Sequence, residues 1–233
     1  MNKSLHIVST RKLTSEIVNG LQVKGWRFSD HDFISKVIGI PSILKEEDIS
    51  KCIVLTSMTG VNSFLQIVKQ LNLIVSDYSV YCISGATRKY ANAFGLTIKA
   101  TAPNASALAD EIIKDAGVKA VTHVCSNIRR DELTARLSNA GVVVNDVIAY
   151  RTEFTPILVD QVYDAVVFFS PSAVDSFLTV NSHRQVPAFC IGETTAGHAK
   201  QKGYFQTYIP VDPSEEILLQ TIIDHYLKSS NAC

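Results

Sequence analysis

Little in this 233-residue sequence suits a membrane, secreted or nucleic-acid-binding chain. No apolar run approaches the ~18 to 20 residues of a spanning helix, so no membrane segment is expected. Five cysteines, Cys52, Cys82, Cys125, Cys190 and Cys233, stand singly. An odd count with no CxxC pair speaks against a disulfide framework and a zinc site, and four of them sit in or at the ends of apolar runs, as reduced core residues do. No signal-peptide apolar region opens the chain, so the expected compartment is the cytoplasm. Lys plus Arg and Asp plus Glu number 22 each, which leaves no global basic field for nucleic acid or anionic lipid.

Catalytic signatures are missing as well. Six histidines show no HxH or HExxH spacing, so no metal site is expected, and His123, inside an apolar run, reads as a hydrogen-bonded core or edge residue. No lysine follows glycines at Walker spacing and no GxGxxG follows a strand, which leaves nucleotide binding unsupported. Ser57 and Ser170 lack a GxSxG elbow, and nothing identifies a His and Asp to activate them. The expected chemistry therefore uses no cofactor.

What is present is an apolar content of 46%, enough for a sizeable core, in a length that fits one large domain or two of about 100 residues. Leu5 to Ser9, Cys52 to Thr56, Val80 to Ile83, Ala120 to Cys125, Ala165 to Phe169 and Pro187 to Ile191 read as buried strands. Between them, Leu13, Ile17 and Leu21 make one helix face, and Val61, Phe64, Leu65 and Val68 another. Leu108 with Ile112, Leu133 with Leu137, and Leu218 with Ile222 extend the pattern. This βα alternation predicts doubly wound parallel sheets covered by helices on both sides.

The sequence also repeats itself. CIVLTSMTGVNSFL from Cys52 resembles AVVFFSPSAVDSFL from Ala165, matching Ser57 to Ser170 and Phe64 to Phe177. ISGATRKYANAFG from Ile83 resembles IGETTAGHAKQKG from Ile191, matching Thr87 to Thr195. The second match needs a five-residue length difference, for which the linker after Leu71 is the expected place. The strand-helix unit Leu5 to Lys24 precedes the first repeat and has no counterpart before the second. A discontinuous domain resolves this: residues 1–38 with 153–233 as one α/β domain, residues 41–148 inserted as a second, and residues 37–41 and 147–152 as a two-strand hinge.

In both repeats a strand runs into hydroxyl residues and then a helix: Thr56 with Ser57, Ser170 with Pro171 and Ser172, Ser84 with Thr87, Gly192 with Thr194 and Thr195. Each alone reads as a cap. Together they place several helix N-termini on the carboxyl edge of each sheet, where an anionic ligand is expected. Arg129 and Arg130 occupy a first helical turn, against the macrodipole, and read equally as anion ligands or as solvated partners of Asp131 or Glu132. Arg11, Arg88 and Lys89 add cations to the same edges.

FFSPSAV from Phe168, IGETTA from Ile191 followed by Gly203, VIAYRT ending at Thr152, and STRK around Arg11 together resemble the uroporphyrinogen-III synthase family, from about His6 to about Leu227. The resemblance implies two α/β domains joined by a two-stranded ladder, with a substrate cleft between them. It implies a lyase of haem biosynthesis that closes hydroxymethylbilane with inversion of ring D, acting without cofactor and as a monomer. By position, it makes Tyr150 the catalytic candidate and Ser57, Thr87, Ser170, Thr194 and Thr195 substrate-binding ones, to which the sheet-edge reading adds Arg11, Arg129 and Ser172. Met58 departs from a proline common after the first serine, Ser84-Gly85-Ala86 shifts a glycine by one, and Ser126 replaces a frequent glycine. A binding module that closes on a small anion or a tetrapyrrole without turnover stands as the alternative.

Overall fold

The computed structural model describes residues 4–14, 25–129 and 131–230. Ile17 and Leu21 of the first expected helix, and Arg130, lie outside them. Among the described residues eleven strands run in chain order: β1 (His6–Ser9), β2 (Arg27–Asp30), β3 (Ile34–Ile38), β4 (Cys52–Leu55), β5 (Ser79–Ile83), β6 (Ile98–Ala102), β7 (Ala120–Ser126), β8 (Val143–Phe154), β9 (Ala165–Phe168), β10 (Ala188–Cys190) and β11 (Thr207–Tyr208). The α-helices are α1 (Met58–Gln70), α2 (Ala86–Ala93), α3 (Ala105–Lys114), α4 (Glu132–Asn139), α5 (Pro171–Leu178), α6 (Glu193–Gln201) and α7 (Glu215–Ser230).

Chain contacts divide into two units, Met1–Ser35 with Glu153–Cys233, and Lys36–Thr152. The first holds a five-stranded sheet ordered β11-β10-β9-β1-β2, whose neighbours are all parallel. The second is built on a six-stranded sheet ordered β3-β8-β7-β4-β5-β6, with parallel pairing from β8 through to β6. The parallel α/β class expected from the sequence is therefore found.

Burial on both faces explains why the central strands read as unbroken apolar runs. In β9, Val166 and Phe168 enter one core with Val174 and Phe177 of α5, while Ala165 and Val167 enter another with Leu218 and Ile222 of α7. In β4, Ile53 and Leu55 pack with Val61, Phe64 and Ile67 of α1, and Val54 points into the opposite core with Leu108 and Ile112 of α3. Each Phe or Leu so buried contributes roughly 1.5 to 3 kcal/mol of transfer free energy. Helix α1 starts on its Ser57 cap, carries Lys69 in its last turn where the dipole favours a cation, and stops at Asn72, whose φ of 53° leaves the helical region.

Both sheets follow one spatial plan under a cyclic shift of the chain: β4, β5, β6, β7 and β8 occupy the places that β9, β10, β11, β1 and β2 occupy in the other unit. The counterpart of the opening strand is thus β7, which follows the first repeat in its own unit and stands before the second, where the sequence reading expected none. The five-residue difference also lies elsewhere than expected. Helix α1 has 13 residues and α5 has 8, so the extra length is helical and precedes Leu71.

Candidate functional site

In the unit of residues 36–152 the strand order reverses between β4 and β7, and the crevice outside the carboxyl ends of such strands is where open α/β sheets bind ligands. Ser57 follows β4 with an extended backbone and accepts the Gly60 N–H at 3.0 Å, capping α1. A Cβ on Gly60 would come within 3.2 Å of the Val124 carbonyl, so glycine lets the first turn of α1 lie close against β7. The other neighbour of Ser57 is Tyr150. The phenol hydroxyl lies 3.0 Å from Ser57 Oγ, with either oxygen able to donate.

A β-bulge aims that tyrosine. Strand β8 pairs with β7 in step from Val143 to Ile148 and then skips Ala149, so that Ser126 meets Tyr150. Consecutive Ala149 and Tyr150 are both buried, where regular alternation would expose one of them. Burial raises the phenol above its ordinary pKa, against the opposing effect of the Ser57 hydrogen bond, so it stays protonated at neutral pH.

The segment after β7 is tied to β8 through Ser126 and through Asn127, which the sequence reading did not single out. Asn127 Oδ1 accepts the Thr152 N–H at 2.8 Å, the Asn127 N–H donates to the Tyr150 carbonyl at 3.3 Å, and Ser126 Oγ lies 3.0 Å from Thr152 Oγ1. Arg129 precedes α4, whose N-cap is Asp131, and so does not stand in a first helical turn as expected. Its Nε donates to Asp146 Oδ2 at 3.0 Å, a partner named by neither sequence reading of that arginine. Asp146 also takes His123 Nδ1 at 2.9 Å, its cross-strand neighbour on β7. Burial alone would raise the Asp146 carboxyl, but the His123 hydrogen bond and the charge of Arg129 outweigh it and hold it below the usual range.

His123, Cys125 and Asp146 bring their ligand atoms within 4.8 Å of one another, the geometry a metal ion would need. Burial pushes the Cys125 thiol up to about 12 when no metal binds it, so the free thiol is neutral. With Arg129 on the same carboxylate, the group is a hydrogen-bonded support for β7 and β8. Thr87 is buried in the first turn of α2, which begins after Gly85 at a φ of 76°, a backbone conformation natural to glycine.

In the other unit the strand order reverses between β9 and β1. Ser170 caps α5 by accepting the Ala173 N–H at 3.2 Å, and its Oγ lies 3.1 Å from that of Ser172. Thr10 is buried and donates to the Val167 carbonyl at 2.8 Å, so the chain leaves β1 clamped to β9. Arg11, just beyond, lays its guanidinium 3.9 Å from the ring centroid of Phe169 and pairs with Glu215. On α6, Thr195 is buried and Thr194 exposed. The structure therefore joins Ser57 to Tyr150, and Ser170 to Ser172. Arg11 is set beside Phe169, the residue preceding Ser170, and Arg129 is engaged by Asp146.

These edges offer capped helix N-termini, hydroxyls, arginines and a buried neutral phenol, a set suited to gripping carboxylates. Comparison with known proteins points the same way. The family model described as uroporphyrinogen-III synthase HemD matches residues 40–220. The fold is similar to the uroporphyrinogen-III synthetase of Helicobacter pylori, at 18% identity and a TM-score of 0.68, covering 95% of this chain and 99% of that one. It is also similar to a mutant uroporphyrinogen III synthase of Thermus thermophilus, at 15% identity and a TM-score of 0.74, covering 97% and 100%. The wild-type Thermus thermophilus enzyme aligns at 17% identity and 0.58, covering 98% and 100%. No curated protein sequence gives a significant match.

Proposed function

Because the chain belongs to the uroporphyrinogen-III synthase HemD family, we propose that it closes hydroxymethylbilane to uroporphyrinogen III with loss of water and inversion of ring D, as a cofactor-free lyase of haem biosynthesis. The observation that carries the chemical part is the buried, neutral Tyr150 phenol held by Ser57 beside a strand-order reversal. Ionisation begins when electron density from the pyrrole nitrogen expels the hydroxyl of the hydroxymethyl group. Tyr150 donates a hydrogen bond to that departing oxygen, easing separation of charge. The resulting azafulvene cation is already reactive, and left alone it closes to the type I isomer.

Steering is then the protein's main task. Attack must come from the substituted carbon of ring D, through a spiro intermediate, which is catalysis by orientation. Backbone N–H groups of the capped helices, with Arg11, Ser57, Thr87, Arg129, Ser170, Ser172, Thr194 and Thr195, would hold the eight carboxylates without fixed acid-base machinery. Arg129 would reach a carboxylate only while sharing itself with Asp146. The same reading has residues 1–38 with 153–233 and residues 41–148 as the two domains, with residues 37–41 and 147–152 as the hinge, in a cytoplasmic monomer. Turnover of freshly made hydroxymethylbilane above its spontaneous closure tests this function. Closure at the spontaneous rate would count against it.

A further inference from the structure

The loop after β1 presents a row of donors already occupied by carboxylates. Lys12 N–H donates to Asp32 Oδ1 at 3.0 Å, Leu13 N–H to Asp30 Oδ2 at 2.9 Å, and Thr14 N–H to Glu215 Oε1 at 3.5 Å. Glu215 also pairs with the Arg11 guanidinium. Two of these acids are fixtures of the sheet: Asp30 ends β2 and pairs in register with Ser9, and Asp32 follows it. Glu215 differs. It arrives from the first turn of α7, 204 residues from Arg11 in sequence, on a long side chain.

We propose that Glu215 is an internal stand-in for a substrate carboxylate, held on Arg11 and the Thr14 N–H until a carboxylate of the tetrapyrrole replaces it. This rests on the reading of Arg11 as a substrate ligand. Three features make the exchange workable. Arg11 is exposed and Glu215 partly buried, so water reaches the pair through the arginine and it is weak enough to be displaced. Phe169 stacks on the guanidinium, so the cation stays in place when Glu215 leaves. Helix α7 is capped by Ser214, whose Oγ accepts the Ile217 N–H at 3.3 Å, so its start does not depend on Glu215. The incoming group meets the same donors that the glutamate leaves, and a ligand without a carboxylate cannot make that exchange.

The consequence is that Glu215 weakens binding while sparing an empty guanidinium from adventitious anions. Uroporphyrin III, the aromatic octacarboxylate relative of the product, serves as a probe titrated against wild type, Glu215→Gln, Arg11→Ala, the double variant and Glu216→Gln. Glu216 is exposed in the same turn, so its variant removes the same charge without touching Arg11. Glu215→Gln is expected to tighten binding about 2- to 5-fold. Arg11→Ala should weaken binding, Glu215→Gln should have no effect in the Arg11→Ala background, and Glu216→Gln should bind like wild type. If Arg11→Ala binds as well as wild type, the reading of Arg11 fails and takes the exchange with it. If Arg11→Ala weakens binding but Glu215→Gln does not tighten it, or tightens it equally in the double variant or no more than Glu216→Gln does, Arg11 stands and the stand-in is refuted.

Discussion

The Tyr150 hydroxyl lies 3.0 Å from Ser57 Oγ across 93 residues of sequence, joining β8 to the cap of α1. If Tyr150 were an indispensable general acid, loss of its hydroxyl would cost roughly 10² to 10⁴ in rate. The leaving group departs from a carbon activated by an electron-rich pyrrole, so Tyr150→Phe should fall at or below the bottom of that range and keep type III selectivity. Rate and isomer ratio measured together decide it. An unchanged rate removes Tyr150 from catalysis, and a slow variant making mostly type I makes it a steering residue.

Ser57 both caps α1 and contacts the phenol, while Ser170 caps α5 without a tyrosine partner. Each Ser→Ala change should cost about 1 kcal/mol of stability through the lost cap, which for a chain of this size is about 2 to 4 °C in melting midpoint. Ser57→Ala should also reproduce the turnover loss of Tyr150→Phe, because it frees the phenol to rotate, whereas Ser170→Ala should act on substrate affinity. Equal turnover in Ser57→Ala and wild type, with the midpoint lowered as expected, would reduce Ser57 to a cap.

Gly60→Ala tests the close approach of α1 to β7. Alanine favours a helix by up to about 1 kcal/mol over glycine, yet here its methyl carbon would stand 3.2 Å from the Val124 carbonyl, on a strand hydrogen-bonded on both sides. The backbone cannot yield as a side chain could. Overpacking of about 1 to 3 kcal/mol should win, and denaturant melts should show net destabilisation. A more stable variant would mean that α1 can lift off β7 at little cost.

Acid should destabilise the fold through three carboxylates. The Lys99 and Tyr81 hydrogen bonds hold Asp115 at about 2, and Asp146 and Asp175 lie below the usual range despite burial that opposes ionisation, the latter through Lys202 and His198. With folded pKa values below the unfolded value of about 4, the unfolded chain binds more protons in acid, so this stability is present above pH 4 and is lost as pH falls through each folded value, about 2 for Asp115. Asp146→Asn and Asp175→Asn should flatten the decline of unfolding free energy across that fall. An unchanged slope in both would show that these pairs add nothing to the acid response.

Strands β4 and β9 were legible because burial on both faces makes them apolar throughout, and the match of Ser57 to Ser170 survived because both must cap a helix at the same point. Strand β2, with the polar sequence RFSD, and β11, with two residues, sit at sheet edges where half-exposed positions accept polar side chains and periodicity fades. The cyclic shift between the sheets could not be read either, since spatial order leaves no local trace. At the site, hydroxyl caps showed in the sequence, whereas the partners of the arginines did not. Asp146 reaches Arg129 from a neighbouring strand, and Glu215 reaches Arg11 from the last helix, so both pairings depend on tertiary packing. The bulge that aims Tyr150 is a register shift, invisible without the pairing of β7 and β8.

The central claim is that the protein steers ring D without a cofactor. Freshly prepared hydroxymethylbilane supplied to chelator-treated, dialysed protein, with the isomers of the cyclised product separated and quantified, tests it most directly. The account predicts mainly the type III isomer, formed faster than spontaneous closure and undiminished by the chelator. Type I alone at the spontaneous rate, or type III synthesis that returns only when a metal is restored, would contradict it.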